Sequence, residues 1–534
     1  MSETTPTPEA IAVRATKCPL WLVWLVAFLA AAVLYCATAA PGVLWGDFGE
    51  AQLRVLTGQL QDLRELARSH VTYFAVTCGI TRLLGTNPVE TANLVSALAG
   101  AVTIANFAAL LSLLVRGRVS MIGGACLLMF SHTLWQMSAG AEVITFSTMF
   151  LSLELLCIVR YLSGGSFGWL ACAALANGLG WSTHNFALLI WPAYIALTVA
   201  DRRWISGFTV KRALVLAAMW LVGVTPLILS VIYRLDDFES TAAAIQSVFV
   251  GVYGKSVFNL RLSASMALRV IAYHCLNFPT PLLFLFPVGI WRIAKSNPKP
   301  ITWFLIVAAL TFFGFAARYD VPDQYTFLTH SHIFFAMFLA VGLDQVLGAN
   351  RGFGMKSLAI LLCCLAPMVY ASVPLIGEKH LARYVKFPKR VLPYRDPYRW
   401  FLQPWRCGYD GAARYARESL ESLPQDAVLL IDSTAGRPID VIQGSESLRL
   451  DVAIPMQRFD RPWQRSIELD KAETDRLADE GLLYSTGTRN PKNFGTWLAG
   501  DEYTLEPFGH LYKIKHAPTD TISQDPDDDA SVDQ

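Results

Sequence analysis

About eleven apolar stretches, each near the length needed to cross the hydrocarbon core of a bilayer, follow one another between Leu20 and Leu375. A chain patterned in this way reads as a polytopic α-helical membrane protein. Composition agrees: 54% of its 534 residues are hydrophobic and 16% are charged, against about 25% charged in an average soluble protein. From residue 376 onward the sequence is polar, mixed in charge and free of long apolar runs. Two regions follow, a membrane body and a small C-terminal soluble domain.

The expected spans are Leu20–Ala40, Thr91–Val115, Met121–Met137, Val143–Leu162, Phe167–Thr183, Phe186–Ala200, Ala213–Tyr233, Phe278–Ile293, Ile301–Ala317, Phe327–Leu347 and Met355–Leu375. The stretch His70–Leu84 is of borderline length and carries Thr72, Thr77, Thr81 and Arg82, so it reads as an interfacial helix. With it kept out of the bilayer, the clusters at Arg116/Arg118, Arg160, Arg202/Arg203, Lys211/Arg212, Arg292/Lys295/Lys299 and Arg351/Lys356 all fall on the cytoplasmic side. Counting it as a span would put every cluster outside. The expected organisation is thus a cytoplasmic N-terminus (1–19), a transmembrane domain (20–375) whose first extracytoplasmic loop is 41–90, and an extracytoplasmic soluble domain (376–516).

Within the soluble domain, Tyr409–Leu423 and Asp470–Glu480 read as helices, Ala427–Ile431 as a buried strand, and Tyr503–Ile514 as a strand pair, giving a small α/β or α+β fold. Residues 517–534 form an acidic tail expected to be disordered. Most of the ten cysteines, among them Cys36, Cys126, Cys157, Cys172, Cys363 and Cys364, lie in apolar segments, which implies no disulfide framework.

Chemistry-bearing residues collect at the extracytoplasmic ends of the spans. Asp47 and Glu50 stand three apart just past the first span, where a helical turn would bring them to one face, and Gly46 and Gly49 interleave with them. Glu142, His184 and Asn185 mark later span ends on that side, and Arg318, Asp320, Asp323 and Tyr325 fill one short loop. Ionisable residues at such places are candidates for function, although a lone carboxylate at a helix start also serves as a dipole partner. His330 and His332 are two apart, a spacing that points helical side chains in different directions, so no metal site is expected from them. No Walker, HExxH, GxSxG or CxxC motif is present, which argues against a nucleotide-driven pump, a zinc protease or a thiol enzyme.

The first span followed by Asp47-Phe48-Gly49-Glu50, and His70 before the interfacial helix, resemble the Asp-Ser-Gly-Glu and His-Pro-Pro-Gly-Tyr elements of a large bacterial membrane family that also includes an animal transmembrane protein O-mannosyltransferase. Ala141-Glu142-Val143 is similar to its Ala-Glu-Val-Tyr element, and Gly178–Asn185 to its Gly-Asn-His element. Leu423–Leu429 and Tyr503–Tyr512 resemble its soluble part. Phe48 stands in place of Ser, Val71-Thr72 in place of Pro-Pro, and Thr183 in place of Asn.

This family lies within the C-class (GT-C fold) glycosyltransferases. The resemblance implies transfer of a hexose, mannose or a similar sugar, from a polyprenyl-phosphate donor to an acceptor hydroxyl of a protein Ser or Thr, a lipid or a glycan. Asp47 would be the general base, Glu50 would orient sugar or acceptor, and His184 or Arg318 would stabilise the leaving phosphate. His70, Glu142, Asn185, Asp320, Asp323 and Tyr325 would line the donor site. No resident cofactor is implied, since the lipid-linked sugar is a co-substrate, and a divalent metal stays open. The expected location is a bacterial plasma membrane, with the active site extracytoplasmic. A transporter or flippase for a lipid-linked saccharide is the alternative, but it would place charged residues near the bilayer midplane. A membrane-anchored binding protein is another, and it would leave Asp47 dispensable.

Overall fold

The computed structural model describes residues 18–63, 65–206, 208–348, 351–380, 391–455, 461–465, 467, 469–487 and 502–517. The expected N-terminal segment up to Lys17 and the acidic tail from Pro518 lie outside them. The chain divides into two compact units that do not follow chain order. One comprises Met1–Gly42, Arg54–Val391 and Arg395–Tyr409, and the other Val43–Leu53, Leu392–Tyr394 and Asp410–Gln534. The turn bearing Asp47 and Glu50 therefore clusters with the C-terminal residues.

The first unit is almost wholly helical. It runs through α1 (Leu20–Thr38), the end of α2 (Gly46–Thr57), α3 (Val71–Leu84), α4 (Pro88–Leu114), α5 (Arg118–Met129), α6 (His132–Ser138), α7 (Ile144–Leu162) and α8 (Phe167–Thr183). Then come α9 (Trp191–Ala200), α10 (Arg203–Ser206), α11 (Val210–Tyr233), α12 (Thr241–Phe249), α13 (Gly254–Val257), α14 (Ala264–Asn277) and α15 (Phe286–Ser296). The unit closes with α16 (Lys299–Arg318), α17 (Gln324–Phe327), α18 (Thr329–Leu347), α19 (Phe353–Cys363), α20 (Ala366–His380) and α21 (Pro397–Leu402). Helices satisfy their own backbone groups, as a hydrocarbon environment demands.

Six helices, α1, α4, α7, α11, α16 and α18, are long and apolar enough to cross a membrane, and two bent pairs raise the number to as many as eight among the described residues. The chain is an integral membrane protein. Burial separates the centre from the rim: 83% of the apolar window of α4 and 78% of that of α18 are buried, against 17% for α1 and 22% for α11. The central α4 is rich in Ala, Gly and Ser, and small residues let helix backbones approach in lipid. At the crossing of α8 and α11, a Cβ on Gly223 would lie 2.6 Å from the Leu175 carbonyl oxygen.

Several expected spans take other forms. Met121–Met137 is broken at Phe130–Ser131 into α5 and α6. Phe186–Ala200 opens as a 3-10 turn, Asn185–Ile190, before α9, where Pro192 supplies no N–H at the helix start. Phe278–Ile293 lies across a 115° bend between α14 and Pro281–Ser296, and Met355–Leu375 across a 48° bend between α19 and α20. Prolines 281 and 367 stand at these breaks, where a missing donor and a clash with the preceding turn end a helix. Helix α3, at 14 residues, is too short for a full crossing.

The second unit holds the start of α2, then α22 (Gly411–Ser422), β1 (Val428–Leu430), α23 (Gly436–Glu446), α24 (Lys471–Asp479), β2 (Leu483–Ser485), β3 (Tyr503–Phe508) and β4 (Leu511–His516). The sheet order is β1-β2-β4-β3, with β1 parallel to β2 and the other neighbours antiparallel. Val428 pairs with Leu483, and Phe508 with Leu511 across a tight turn at Gly509, whose φ is +57°. Val428, Leu430, Leu477, Leu483 and Ile514 form its core. Helices α22 and α24, strand β1 and the β3–β4 hairpin lie where the sequence pattern puts them. The amphipathic α23 and the short β2 were not anticipated.

Candidate functional site

The turn after the first span is held from several sides within the second unit. Helix α2 begins at Gly46, whose φ of +60° suits glycine. The Gly46 N–H donates to the Thr434 carbonyl at 3.2 Å, the Leu44 N–H donates to Gln52 Oε1 at 3.0 Å, and the Trp45 ring rests on Tyr415 with centroids 5.0 Å apart. Asp47 and Glu50 do fall on one helix, with Asp47 in its first turn. A separation of three residues rotates side chains by about 60° about the axis, and here it divides them: Asp47 is exposed and Glu50 is buried.

Glu50 is engaged by Arg437, whose Nη2 donates to Glu50 Oε2 at 2.9 Å. Arg437 is completely buried and Glu50 is 7% exposed. Gly49 is needed for this approach, because a Cβ there would lie 2.5 Å from the Leu44 carbonyl oxygen and 2.9 Å from Arg437 Cβ. Asp47 keeps an exposed carboxylate beside the helix N-terminus, where the unsatisfied N–H groups favour negative charge.

A second cluster lies within the first unit. His70 precedes α3 in a left-handed conformation, φ +48°, and its Nδ1 donates to the Thr183 carbonyl at 2.7 Å, leaving Nε2 without the proton in the neutral ring. His184 follows α8, and its Nδ1 accepts from the Phe186 N–H at 3.2 Å, which puts the neutral ring's proton on Nε2. The two imidazoles are stacked, with centroids 5.3 Å apart and planes 11° from parallel. Burial, then the neighbouring His184, holds His70 well below the ordinary histidine value, and burial lowers His184 to about 4. His330 stands 6.5 Å from His184 with its Nε2 2.8 Å from Ser147 Oγ, whereas His332 faces His274 and Phe278.

The other candidates have structural attachments. Glu142 Oε1 accepts the N–H groups of Val143 at 2.8 Å and Ile144 at 3.3 Å, capping the start of α7. The Asn185 side chain donates to the Val248 carbonyl at 2.7 Å and accepts from Trp181 Nε1 at 3.2 Å. Arg318 Nη1 donates to the carbonyls of Val257 at 2.6 Å and Asn259 at 2.5 Å, and Asp320 pairs with Arg269 at 2.8 Å. Asp323 precedes α17, and Tyr325 packs edge-on against Phe401 at 5.4 Å. Phe327, from the same loop, reaches the His184 ring at 6.1 Å. Among the described residues no group of three His, Cys, Asp or Glu side chains is arranged to hold a metal ion.

Among solved structures, the chain superposes on ArnT from Cupriavidus metallidurans bound to undecaprenyl phosphate with a TM-score of 0.56 and 12% identity, covering 92% of this chain and 97% of that one. The apo state of ArnT from the same organism gives a TM-score of 0.56, 12% identity, and coverage of 93% and 98%. The fold is that of the C-class glycosyltransferases. The S. cerevisiae protein O-mannosyltransferase Pmt1–Pmt2 complex bound to the sugar donor gives a TM-score of 0.34 and 16% identity, over 47% of this chain and 37% of that one. No family model and no curated protein sequence matches the chain.

Within this C-class fold, two features escape sequence reasoning: the Arg437 contact to Glu50 and the stacking of His70 on His184. Arg437 carried one signal, its place just after the polar Asp432-Ser433-Thr434 that follows a buried strand. Nothing local connected it to Glu50. Thr183, which occupies the position before His184, offers its carbonyl to His70.

Proposed function

We propose that this chain is a membrane glycosyltransferase that moves a hexose, with mannose the first to test, from a polyprenyl-phosphate donor to an acceptor hydroxyl. The acceptor would be a Ser or Thr of an exported protein, a lipid or a glycan. The reaction would take place on the extracytoplasmic side of a bacterial plasma membrane, with loop 41–90 and the C-terminal domain on that side. The observation that carries this reading is the exposed carboxylate of Asp47 in the turn that follows the first span of a C-class fold. The undecaprenyl phosphate bound to ArnT supports a lipid-phosphate donor of the same chemistry.

In this reading Asp47 accepts the proton of the acceptor hydroxyl as its oxygen attacks C1 of the sugar. The new C1–O bond forms while the bond from C1 to the phosphate oxygen breaks, and polyprenyl phosphate departs with inversion at C1. The phosphate takes the bonding electrons, so no covalent sugar–enzyme intermediate is required. Neutral His184, with its proton on Nε2, supplies a hydrogen-bond donor suited to the developing phosphate charge. Arg318 is less suited to that role, because it already donates to two backbone carbonyls.

Radiolabelled sugar transfer in membranes supplied with candidate polyprenyl-phosphate sugars tests the reading. Wild-type membranes should label an acceptor and Asp47→Asn membranes should not. Equal labelling by the two would remove Asp47 as the base, and no transfer from any donor would remove the enzyme reading.

A further inference from the structure

Asp47 is bracketed by attachments one residue before it and three residues after it. Before it, the Gly46 N–H is held by the Thr434 carbonyl. After it, Glu50 is held by Arg437. Thr434 lies in the segment joining β1 to α23 and Arg437 at the start of α23, and that segment is itself fixed. Asp432 Oδ1 accepts the N–H groups of Thr434 at 2.7 Å and Ala435 at 2.9 Å, and Thr486 Oγ1 donates to Asp432 Oδ2 at 2.7 Å.

Burying a guanidinium and a carboxylate together costs desolvation that their attraction often only balances, so such a pair is weak evidence of stability alone. It does impose direction, since the rigid, planar guanidinium donates to a carboxylate oxygen in few geometries. Here that direction fixes the first turn of α2, and so the orientation of the carboxylate at its exposed position 47.

We infer that Arg437 is a positioning residue for the proposed base Asp47, acting through Glu50, which serves as its buried counter-ion and not as a contact to sugar or acceptor. The inference rests on the reading of Asp47 as the base. It assigns a role to the C-terminal residues in the transfer reaction: the β1–α23 segment and the start of α23 hold the turn on which the base stands.

The test uses the full-length protein purified in lipid nanodiscs, with polyprenyl-phosphate sugar as donor, and measures kcat, the KM for donor and the folded fraction. Arg437→Met should lower kcat by about 10- to 100-fold, because small displacements of a reacting group have effects of that size. The donor KM should stay within about threefold on the same ground, and Arg437→Lys should recover part of kcat. Should the Met variant fold poorly, Glu50→Gln with Arg437→Met removes both charges of the pair, so that neither is left facing an uncharged partner. That double variant should fold and show the same loss in kcat.

A folded Arg437→Met or double variant with wild-type kcat, beside an inactive Asp47→Asn, would overturn the positioning role and leave the base intact. So would a fall in kcat that only matches a fall in folded fraction. Wild-type activity in Asp47→Asn would instead remove the base, and the positioning role with it.

Discussion

The imidazoles of His70 and His184 lie face to face, 5.3 Å between centroids and 11° from parallel, at the junction of the α3 and α8 ends. Each is fixed by backbone, His70 through the Thr183 carbonyl and His184 through the Phe186 N–H. Stacked and buried in this way, neither ring readily takes a proton. His184 titrates near 4 in the folded protein against an ordinary value of 6.5. A lowered value means that the unfolded chain binds more protons between those limits, so the stabilisation is complete above pH 6.5 and is lost as the pH falls toward 4. Thermal unfolding in detergent should show the melting temperature dropping across that window. His184→Gln should flatten the drop, and an unchanged slope would show that His184 does not control it.

Asp47 and Glu50 are predicted to fail in different ways. Asp47 is exposed, so Asp47→Asn should keep the melting temperature of the wild type and lose transfer by about 100- to 10,000-fold, the range typical of a general base. Glu50→Gln removes the negative charge to which the completely buried Arg437 donates at 2.9 Å. It should destabilise the second unit by about 3–5 kcal/mol. Denaturation followed by tryptophan fluorescence, alongside transfer assays normalised to folded protein, separates the two.

The glycines of this turn differ in what surrounds them. Gly49→Ala forces a methyl against the Leu44 carbonyl and Arg437 Cβ, and overpacking of that kind costs about 1–3 kcal/mol. Gly42→Ala meets nothing within 4 Å. The first should lower the melting temperature and the second should leave it unchanged. Equal melting temperatures would mean that the turn relaxes freely around position 49.

The helical membrane body was legible because long apolar runs admit few other folds, and α8 was readable to its ends. The breaks within Met121–Met137 and at Pro281 and Pro367 were less so, since hydropathy sums over a window while a helix ends at one missing donor or one competing cap. The candidate site was legible only in its local part. Spacing placed Asp47 and Glu50 on one turn, but spacing cannot tell which of two side chains 60° apart faces water. That was decided by Arg437, far away in sequence. Glu142, a carboxylate at a span end, carried two readings in the sequence, dipole partner and donor-site residue, and its Oε1 accepts the N–H groups of Val143 and Ile144 at the start of α7.

Arg318 gives the last prediction, because its guanidinium is already committed. Nη1 reaches the carbonyls of Val257 and Asn259, and the cation lies 4.7 Å above the Phe315 ring. Asn259 Nδ2 returns a bond to the Arg318 carbonyl at 2.8 Å, so the α16 end and the segment after α13 are tied in both directions. Charged donors to backbone carbonyls contribute about 1.5–3 kcal/mol each when intact. Arg318→Gln should therefore release the segment around Val257–Asn259, seen as faster amide hydrogen exchange there, and change the donor KM by less than about threefold, since no phosphate contact is lost. A rise in donor KM of about 10-fold or more with exchange unchanged would give Arg318 back to the phosphate.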